Sequence, residues 1–203
     1  MRWHTPRGII ELAPLQNTPD RNVPVSVLLQ EATNHFNNNR LQEAGSLCQT
    51  ILRSLPNNAD ALHLLGVINY QAGRYQLAIE YIKKAIVIDP SKAHYHNNIG
   101  EAYRGLGFIE EATQSYLTAL QLQPEFDVAH NNLANVLAAV GKNDEAAYHY
   151  ANAIRLKPDY AEAYRNLSLI SDLKPDDEMT CAIQSLLDKP GLPESDAMHL
   201  RFA

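Results

Sequence analysis

The sequence predicts an all-α fold built from repeated units, and three sets of equally spaced residues predict it. Prolines, alanines and a position held by glycine or asparagine each recur at a step of 34 residues. A fixed step of about 20–50 residues is typical of proteins in which one small structural unit is stacked many times. The three sets are Pro56, Pro90, Pro124 and Pro158; Ala44, Ala78, Ala112 and Ala146; and Asn39, Gly73, Gly107 and Gly141.

These residue types at this spacing resemble the tetratricopeptide-repeat (TPR) family over about residues 25–170. The resemblance implies a right-handed TPR solenoid of antiparallel helical hairpins. We expect a TPR array over 25–172, with repeats at 25–58, 59–92, 93–126 and 127–160 and a partial repeat at 161–172. The expected helices lie near 25–38, 41–55, 59–72, 75–88, 93–106, 109–122, 127–140, 143–156 and 161–172.

Each recurring residue type has a physical role in such a hairpin. A small residue at the eighth position of the repeat, like the recurring alanine, lets two helices approach to about 8–10 Å. Glycine permits the positive φ that ends the first helix, and Asn39 is a common substitute for it. Proline cannot continue a helix and fixes the turn into the next repeat. The eighth positions are Ala32, Gly66, Gly100, Ala134 and Ser168.

The seventh position is large and apolar in every repeat except the first. These apolar residues, expected to fill the core between neighbouring helices, are Leu65, Ile99, Leu133 and Leu167. Glu31 stands at this position in the first repeat. A terminal repeat has no preceding neighbour to bury the residue, so we expect Glu31 to be exposed.

Composition restricts the kind of partner. With 45% apolar and 20% charged residues, the chain has the make-up of a globular protein. Its net charge is −6 and its 17 basic residues are scattered, whereas binding to a nucleic acid depends on clustered Lys and Arg. Its apolar runs are far shorter than the roughly 20 residues that span a bilayer. The expected partner is therefore a protein or peptide, not a nucleic acid or a membrane.

The N-terminal residues 1–24 lie outside the repeat and are expected to form a loose extension or an irregular cap. The candidate anchors of such a cap are Trp3, Ile9, Ile10 and Leu12. The segment has no apolar run of roughly seven residues or more, so it does not match a secretory signal. Cys48 and Cys181 fit no metal spacing, which indicates two reduced thiols. These features predict a cytoplasmic protein.

In the family that the repeats resemble, the first helix of each hairpin lines a concave groove. The resemblance therefore implies that residues at fixed positions of these helices meet a ligand. Those we select are Phe36, Leu64, Val67, Tyr70, Asn97, Asn98, Glu101, Arg104, Asn131, Asn132, Asn135, Arg165 and Asn166.

The sixth repeat position places asparagine in three successive repeats, at Asn98, Asn132 and Asn166. An asparagine side chain both donates and accepts, so it can pair with an extended peptide backbone whatever the peptide side chains are. The alternative is that these amides only solvate a polar face or bond neighbouring helix ends. The run 129–135, AHNNLAN, resembles the superhelical repeats of O-GlcNAc transferases, in which matching asparagines hold the substrate peptide. This second resemblance implies peptide binding, not glycosyl transfer.

Two other kinds of ligand fit the same helices less well. TPR domains that grip a C-terminal carboxylate use lysines at the second and fifth positions. Here those positions hold His63, His94, Asn97, Val128, Asn131, Glu162 and Arg165, so the carboxylate clamp is missing. A metal site at His94, His96 and His130 is not favoured, because no carboxylate or thiolate ligand is spaced with them. We therefore predict no metal and no cofactor.

No catalytic motif is found, and most glycines belong to repeat turns. Residues 173–203 are expected to form a C-terminal helical segment and resemble a segment of bacterial TPR proteins that carry a sulfotransferase domain. The residues that carry this resemblance are Lys174–Asp177, Leu192–Pro193 and His199–Ala203. Ser195 is expected to cap a final helix so short that the chain looks truncated. The alternative function is thus the non-catalytic part of a larger enzyme, and self-association through the open solenoid ends is a further expectation.

Overall fold

A computed structural model describes residues 23–171, 178–188 and 191–201. Within these ranges all regular secondary structure is helical, which confirms the predicted all-α class. The helices are α1 Val25–Asn37, α2 Leu41–Ser54, α3 Ala59–Gln71, α4 Tyr75–Ile88, α5 Ala93–Gly105, α6 Ile109–Leu122, α7 Asp127–Ala139, α8 Asn143–Leu156, α9 Ala161–Ile170, α10 Glu178–Leu187 and α11 Glu194–Arg201. The four predicted N-terminal anchor residues and the segment Lys174–Asp177 lie outside the described residues.

The nine helices predicted from the repeat are all present. Each begins at the predicted residue and ends within two residues of the predicted end. The turn after each first helix has the expected left-handed residue, with φ of 72° at Gly73, 78° at Gly107, 78° at Gly141 and 57° at Asn39. The repeat spacing therefore predicted both the helices and the residues that end them.

The chain divides into two compact blocks, residues 1–88 and residues 89–203, which are described separately. The N-terminal block contains the hairpins α1–α2 and α3–α4. Its main core is formed by Ala32, Ala44, Cys48, Leu65 and Ile68. Burial raises the pKa of the Cys48 thiol to about 12, so this cysteine stays a neutral apolar core residue at neutral pH.

The C-terminal block contains the hairpins α5–α6 and α7–α8 and the helices that follow. Its core includes Ala112, Tyr116, Leu133, Tyr150 and Leu167. The rings of Tyr116 and Tyr150 are buried, and burial raises the pKa of both hydroxyls, that of Tyr150 to about 12. Both hydroxyls are therefore protonated donors at neutral pH, which matters for the site described below.

The eighth repeat position is small because the partner helix passes directly over it. A Cβ added at Gly66 would lie 2.5 Å from Cγ1 of Ile82, and one added at Gly100 would lie 2.6 Å from Cε1 of Tyr116. Both distances are shorter than van der Waals contact. The prediction that small residues permit the helix crossing is thus confirmed for these two hairpins.

The exposure predicted for Glu31 is also confirmed. Its side chain is 55% exposed and its carboxylate lies 3.9 Å from Nε2 of His35. Leu65, Leu133 and Leu167, at the equivalent position of later repeats, are buried, as expected for positions covered by a preceding hairpin of the same block.

The final two described helices extend the C-terminal block past the repeats. Leu200 of α11 is buried with Ala161 and Tyr164 of α9 and with Ile183 and Leu186 of α10. A helix of eight residues is marginal alone, and this apolar contact gives it a tertiary partner.

The prediction that Ser195 caps the last helix is wrong. Helix α11 begins at Glu194, and the amide of Ala197 donates to the carbonyl of Pro193. The first turn therefore closes on the proline, and Ser195 lies inside that turn. Its hydroxyl donates to the Asp196 carboxylate at 3.3 Å.

The described residues contain no helix with the length and apolar composition needed to span a membrane.

Candidate functional site

Six asparagines lie on the first helices of the C-terminal block, and we call them the amide cluster. Helix α5 carries two of them, α7 three and α9 one. They are Asn97, Asn98, Asn131, Asn132, Asn135 and Asn166. Two hydrogen bonds join asparagines of successive first helices, Asn132 to Asn97 and Asn166 to Asn135, so the repeat spacing does bring these four together.

Helices α5 and α7 are joined by one chain of amide hydrogen bonds. Nδ2 of Asn132 donates to Oδ1 of Asn97 at 3.1 Å, and Nδ2 of Asn97 donates to Oδ1 of Asn98 at 3.1 Å. Asn97 is only 4% exposed, so the bond that it receives from Asn132 is largely shielded from water. This arrangement orients the half-buried amide of Asn132.

Helices α7 and α9 are joined in the same way. Nδ2 of Asn166 donates to Oδ1 of Asn135 at 2.9 Å, and the hydroxyl of Tyr150 donates to the same oxygen at 2.6 Å. Nη1 of Arg165 lies 3.4 Å from Oδ1 of Asn166 and donates to it. Two donors on one oxygen fix the amide plane of Asn135 and leave its Nδ2 pointing away from them.

The cluster retains hydrogen-bonding capacity after these bonds are made. Across the described residues, no hydrogen bond occupies Oδ1 of Asn132 or Nδ2 of Asn135. Both side chains are half-buried. One is an acceptor that suits a peptide N–H, and the other is a donor that suits a peptide C=O.

Two of the asparagines that the sequence placed among the ligand-facing residues are buried. Asn97 is 4% exposed and Asn131 is 1% exposed. Oδ1 of Asn131 has no hydrogen-bond partner among the described residues. The more accessible amides of the cluster are therefore those of Asn98, Asn132, Asn135 and Asn166.

Glu101 is held by residues of its own hairpin. The hydroxyl of Tyr116 donates to its Oε1 at 2.6 Å, and Arg104 donates to both carboxylate oxygens at 3.1 and 2.9 Å. The Glu101–Tyr116 bond is the counterpart of the Asn135–Tyr150 bond one repeat later. Sequence analysis missed both, although the signal was present: tyrosine at the twenty-fourth position accompanies a polar residue at the ninth.

The four predicted apolar contact residues lie in the N-terminal block. Phe36 and Leu64 are half-buried and pack against the core of that block. Val67 is half-buried, and the half-buried ring of Tyr70 lies 5.6 Å from that of Tyr75, centroid to centroid. All four side chains are therefore partly accessible to solvent.

The fourth repeat position has a structural role that the sequence did not reveal. The ring nitrogen Nε2 of His96 bonds the carbonyl of Pro90 at 2.9 Å, and Nε2 of His130 bonds that of Pro124 at 3.1 Å. The hydroxyl of Tyr164 donates to the carbonyl of Pro158 at a longer 3.4 Å. These side chains tie the start of a first helix to the preceding proline turn.

His130 also bonds His149 of α8, with 2.9 Å between the two Nδ1 atoms. A carbonyl can only accept, so Nε2 of His130 carries its proton, and Nδ1 of His130 accepts from Nδ1–H of His149. Burial lowers the pKa of both rings, that of His149 to about 4, and any charge on His130 lowers the pKa of His149 further. Both rings are therefore neutral near pH 7.

Among the described residues, no three His, Cys, Asp or Glu side chains are grouped so that they could hold a metal ion.

Two family models match the chain. One described as a tetratricopeptide repeat matches residues 29–93. One described as a TPR repeat matches residues 100–141 and 135–170. The matched ranges contain the whole of α3, α7 and α9, whereas Asn97 and Asn98 of α5 lie between the two ranges.

Three known proteins show the range of similarity. The UDP-N-acetylglucosamine–peptide N-acetylglucosaminyltransferase of Caenorhabditis elegans is 33% identical over 81 residues, covering 40% of this chain and 7% of that protein. A solved Thermobaculum terrenum O-GlcNAc transferase mutant is 28% identical with a TM-score of 0.62, over 64% of this chain and 26% of that one. The solved pilF of Pseudomonas aeruginosa is 21% identical with a TM-score of 0.72, over 86% of this chain and 80% of that one. The chain thus spans only a small part of the two transferases.

Proposed function

The chain belongs to the tetratricopeptide-repeat family through residues 29–93 and 100–170, and on this premise we propose that it is a scaffold that binds an extended peptide segment of a protein partner along its first helices. The amide cluster of the C-terminal block binds the backbone of that segment. We assign no catalytic role to the amide cluster.

The observation that carries this proposal is the orientation of the amide cluster. The inter-helix bonds of Asn132 and Asn166 use one N–H of each side chain. An extended peptide presents N–H and C=O groups alternately, and Oδ1 of Asn132 and Nδ2 of Asn135 offer one acceptor and one donor to them. Because these atoms are already oriented in the free protein, binding the peptide orders few side chains.

The N-terminal block contributes apolar contacts to the same function. Phe36, Leu64, Val67 and Tyr70 lie on its first helices and are half-buried. We assign them to an apolar side chain of the ligand. Specificity then comes from this side chain, while the amides tolerate many sequences.

Similarity to the two transferases supports a peptide as the ligand class. The worm enzyme is, by its name, a transferase that acts on peptides. The sequence resemblance at residues 129–135 supports the same ligand class. It supports peptide binding by the repeats and not glycosyl transfer by this chain.

The test is a triple variant with Asn98→Ala, Asn132→Ala and Asn166→Ala, titrated with peptides selected from a random library on the parent protein. Each net hydrogen bond contributes about 0.5–1.5 kcal/mol, so binding should weaken by about 1.5–4.5 kcal/mol if the contributions add. The substitutions also remove the two inter-helix bonds, so the melting temperature must be measured beside the affinity.

A matched control separates the two effects. Asn152 lies on the second helix α8, and its Nδ2 donates to the carbonyl of Tyr148 in the same helix. Asn152→Ala should leave peptide affinity unchanged. If the triple variant is folded at the assay temperature and binds as tightly as the parent, Asn98, Asn132 and Asn166 do not bind the peptide backbone.

A second proposal is that this chain is the non-catalytic portion of a larger TPR-sulfotransferase or glycosyltransferase-like enzyme. It is supported by the small fraction, 7% and 26%, of the two transferases that the similarity covers. The gene sequence downstream of Ala203 tests it. A continuous reading frame into a catalytic domain supports this proposal, and a stop codon there contradicts it.

A further inference from the structure

A cleft of about 160 Å³ lies in the N-terminal block, between the second helices α2 and α4 and over the C-terminal half of α3. Its walls are largely apolar. Six of its lining residues are Leu41, Gly45, Leu65, Ile68, Leu77 and Tyr81. Because the amide cluster lies on first helices of the other block, this cleft is a different surface from the one proposed to bind peptide backbone.

Gly45 lines this cleft and contributes no side chain to it. A Cβ added there would meet only Cδ1 of Leu65, at 4.0 Å, which is ordinary contact. The same repeat position holds Ile79, Thr113 and Ala147 in the other repeats. Glycine is less favourable than alanine inside a helix, and neither packing nor a positive φ requires it here. The sequence therefore leaves this space open at a cost in helix stability.

Arg74 adds a positive charge at the rim of the cleft. It is exposed, and within the described residues it forms no ion pair. The equivalent residue two repeats later is Lys142, whose Nζ lies 3.1 Å from the carboxylate of Glu145. Leu77 replaces that glutamate next to Arg74. The cation at the cleft therefore lacks the acid that neutralises its counterpart.

We propose that this cleft binds a segment of a protein partner in which one large apolar side chain lies next to a carboxylate. An apolar cavity of about 150 Å³ is large enough for benzene, so this cleft accepts one Phe-sized or Leu-sized side chain. The guanidinium of Arg74 then pairs with the neighbouring carboxylate, a geometry that arginine forms with two parallel hydrogen bonds. A cleft with apolar walls and an unpaired cation at its rim is suited to a partner segment that is both apolar and acidic.

Two small probes test the two halves of this proposal on the full chain. N-acetyl-L-phenylalanine carries the ring and the carboxylate, and N-acetyl-L-phenylalaninamide carries the ring alone. In NMR titrations both should shift the resonances of Gly45, Leu77 and Tyr81. The acid should bind about two- to five-fold more tightly than the amide, as expected for one exposed ion pair.

Variants assign each half to a residue. Gly45→Leu fills the cleft and should abolish the shifts from both probes, while its helical content and melting temperature remain at least those of the parent. Arg74→Gln should lower the affinity of the acid to that of the amide and leave the amide unchanged. Leu77→Glu, which gives Arg74 the acid found beside Lys142, should weaken binding of the acid in the same way. Lys142→Gln is the matched control and should change neither affinity.

Several outcomes would overturn the proposal. Binding of both probes to Gly45→Leu at parental affinity would exclude the cleft as their site. Equal affinity of acid and amide for the parent would exclude a role for Arg74. If the parent self-associates and Gly45→Leu abolishes that association, the cleft holds a second copy of this chain and not an acidic, apolar segment.

Discussion

Replacing Gly100 by alanine should destabilise the C-terminal block, although alanine is the better helix former. The new Cβ would lie 2.6 Å from Cε1 of Tyr116, 2.9 Å from its Cδ1 and 3.0 Å from its Cζ. The Tyr116 ring is fully buried, and its hydroxyl donates to Glu101 at 2.6 Å. The ring therefore cannot move aside without straining the core or losing that bond.

The expected magnitude follows from three opposing contributions. Overpacking a core typically costs about 1–3 kcal/mol. Loss of a hydrogen bond to a charged group costs about 1.5–3 kcal/mol, and this cost is incurred only if the ring moves. Alanine gains about 1 kcal/mol over glycine inside a helix. We expect a net loss of about 0–2 kcal/mol if the ring stays in place and of about 1.5–5 kcal/mol if it moves. Each 1 kcal/mol lowers the melting temperature of a chain of this size by about 2–4 °C.

Thermal and urea unfolding, followed by circular dichroism, measure this effect. Gly45→Ala is the matched control, because its Cβ meets only Leu65 at 4.0 Å. That variant should gain about 0.5–1 kcal/mol from helix propensity alone. If Gly100→Ala is stabilised as much as Gly45→Ala, the steric argument for small residues at the eighth position is refuted.

Two more predictions concern the same block. Ala112 is fully buried, so Ala112→Leu should overpack its helix crossing and cost about 1–3 kcal/mol; an unchanged melting temperature would show that the interior face is misassigned. Burial lowers the pKa of His149 from 6.5 to about 4, so the unfolded chain binds more protons between these values and the free energy of unfolding should fall as pH falls through them. The loss is at most about 3 kcal/mol, reduced by partial exposure, and His149→Gln should flatten this dependence in urea titrations at several pH values. An unchanged pH dependence in His149→Gln would contradict the assignment.

The helices could be predicted closely because one spacing fixes many local choices together. Gly107 and Gly141 end first helices through positive φ, and no other residue type adopts that conformation as readily. The exposure of Glu31 was predictable for a similar reason, since it depends only on the position of the first repeat in the array. These features follow from backbone conformation and repeat order, which the sequence displays directly.

The contacts of the amide cluster could not be predicted to the same depth. Repeat spacing places Asn97 and Asn98 on the same helix but does not show that Asn97 is the buried one. The Tyr150–Asn135 and His149–His130 bonds join two helices of one hairpin, and they depend on side-chain rotamers that spacing does not specify. Ser195 was misplaced because no repeat register extends to α11.

The inter-helix bonds of the amide cluster and its proposed ligand contacts are compatible. A carboxamide has two N–H donors and one oxygen with two acceptor sites, and the bonds from Asn132 and Asn166 to the preceding first helix use a single donor of each. The hydrogen bond that joins two helices also fixes the orientation of the amide atoms that are not used in that bond. A side chain held in this way loses less conformational entropy when a peptide binds, so an amide that stabilises the stacking of the repeats also binds a backbone more tightly. Loss of stability and loss of affinity in the same asparagine variant are therefore two effects of one arrangement, and only measurement of both separates them.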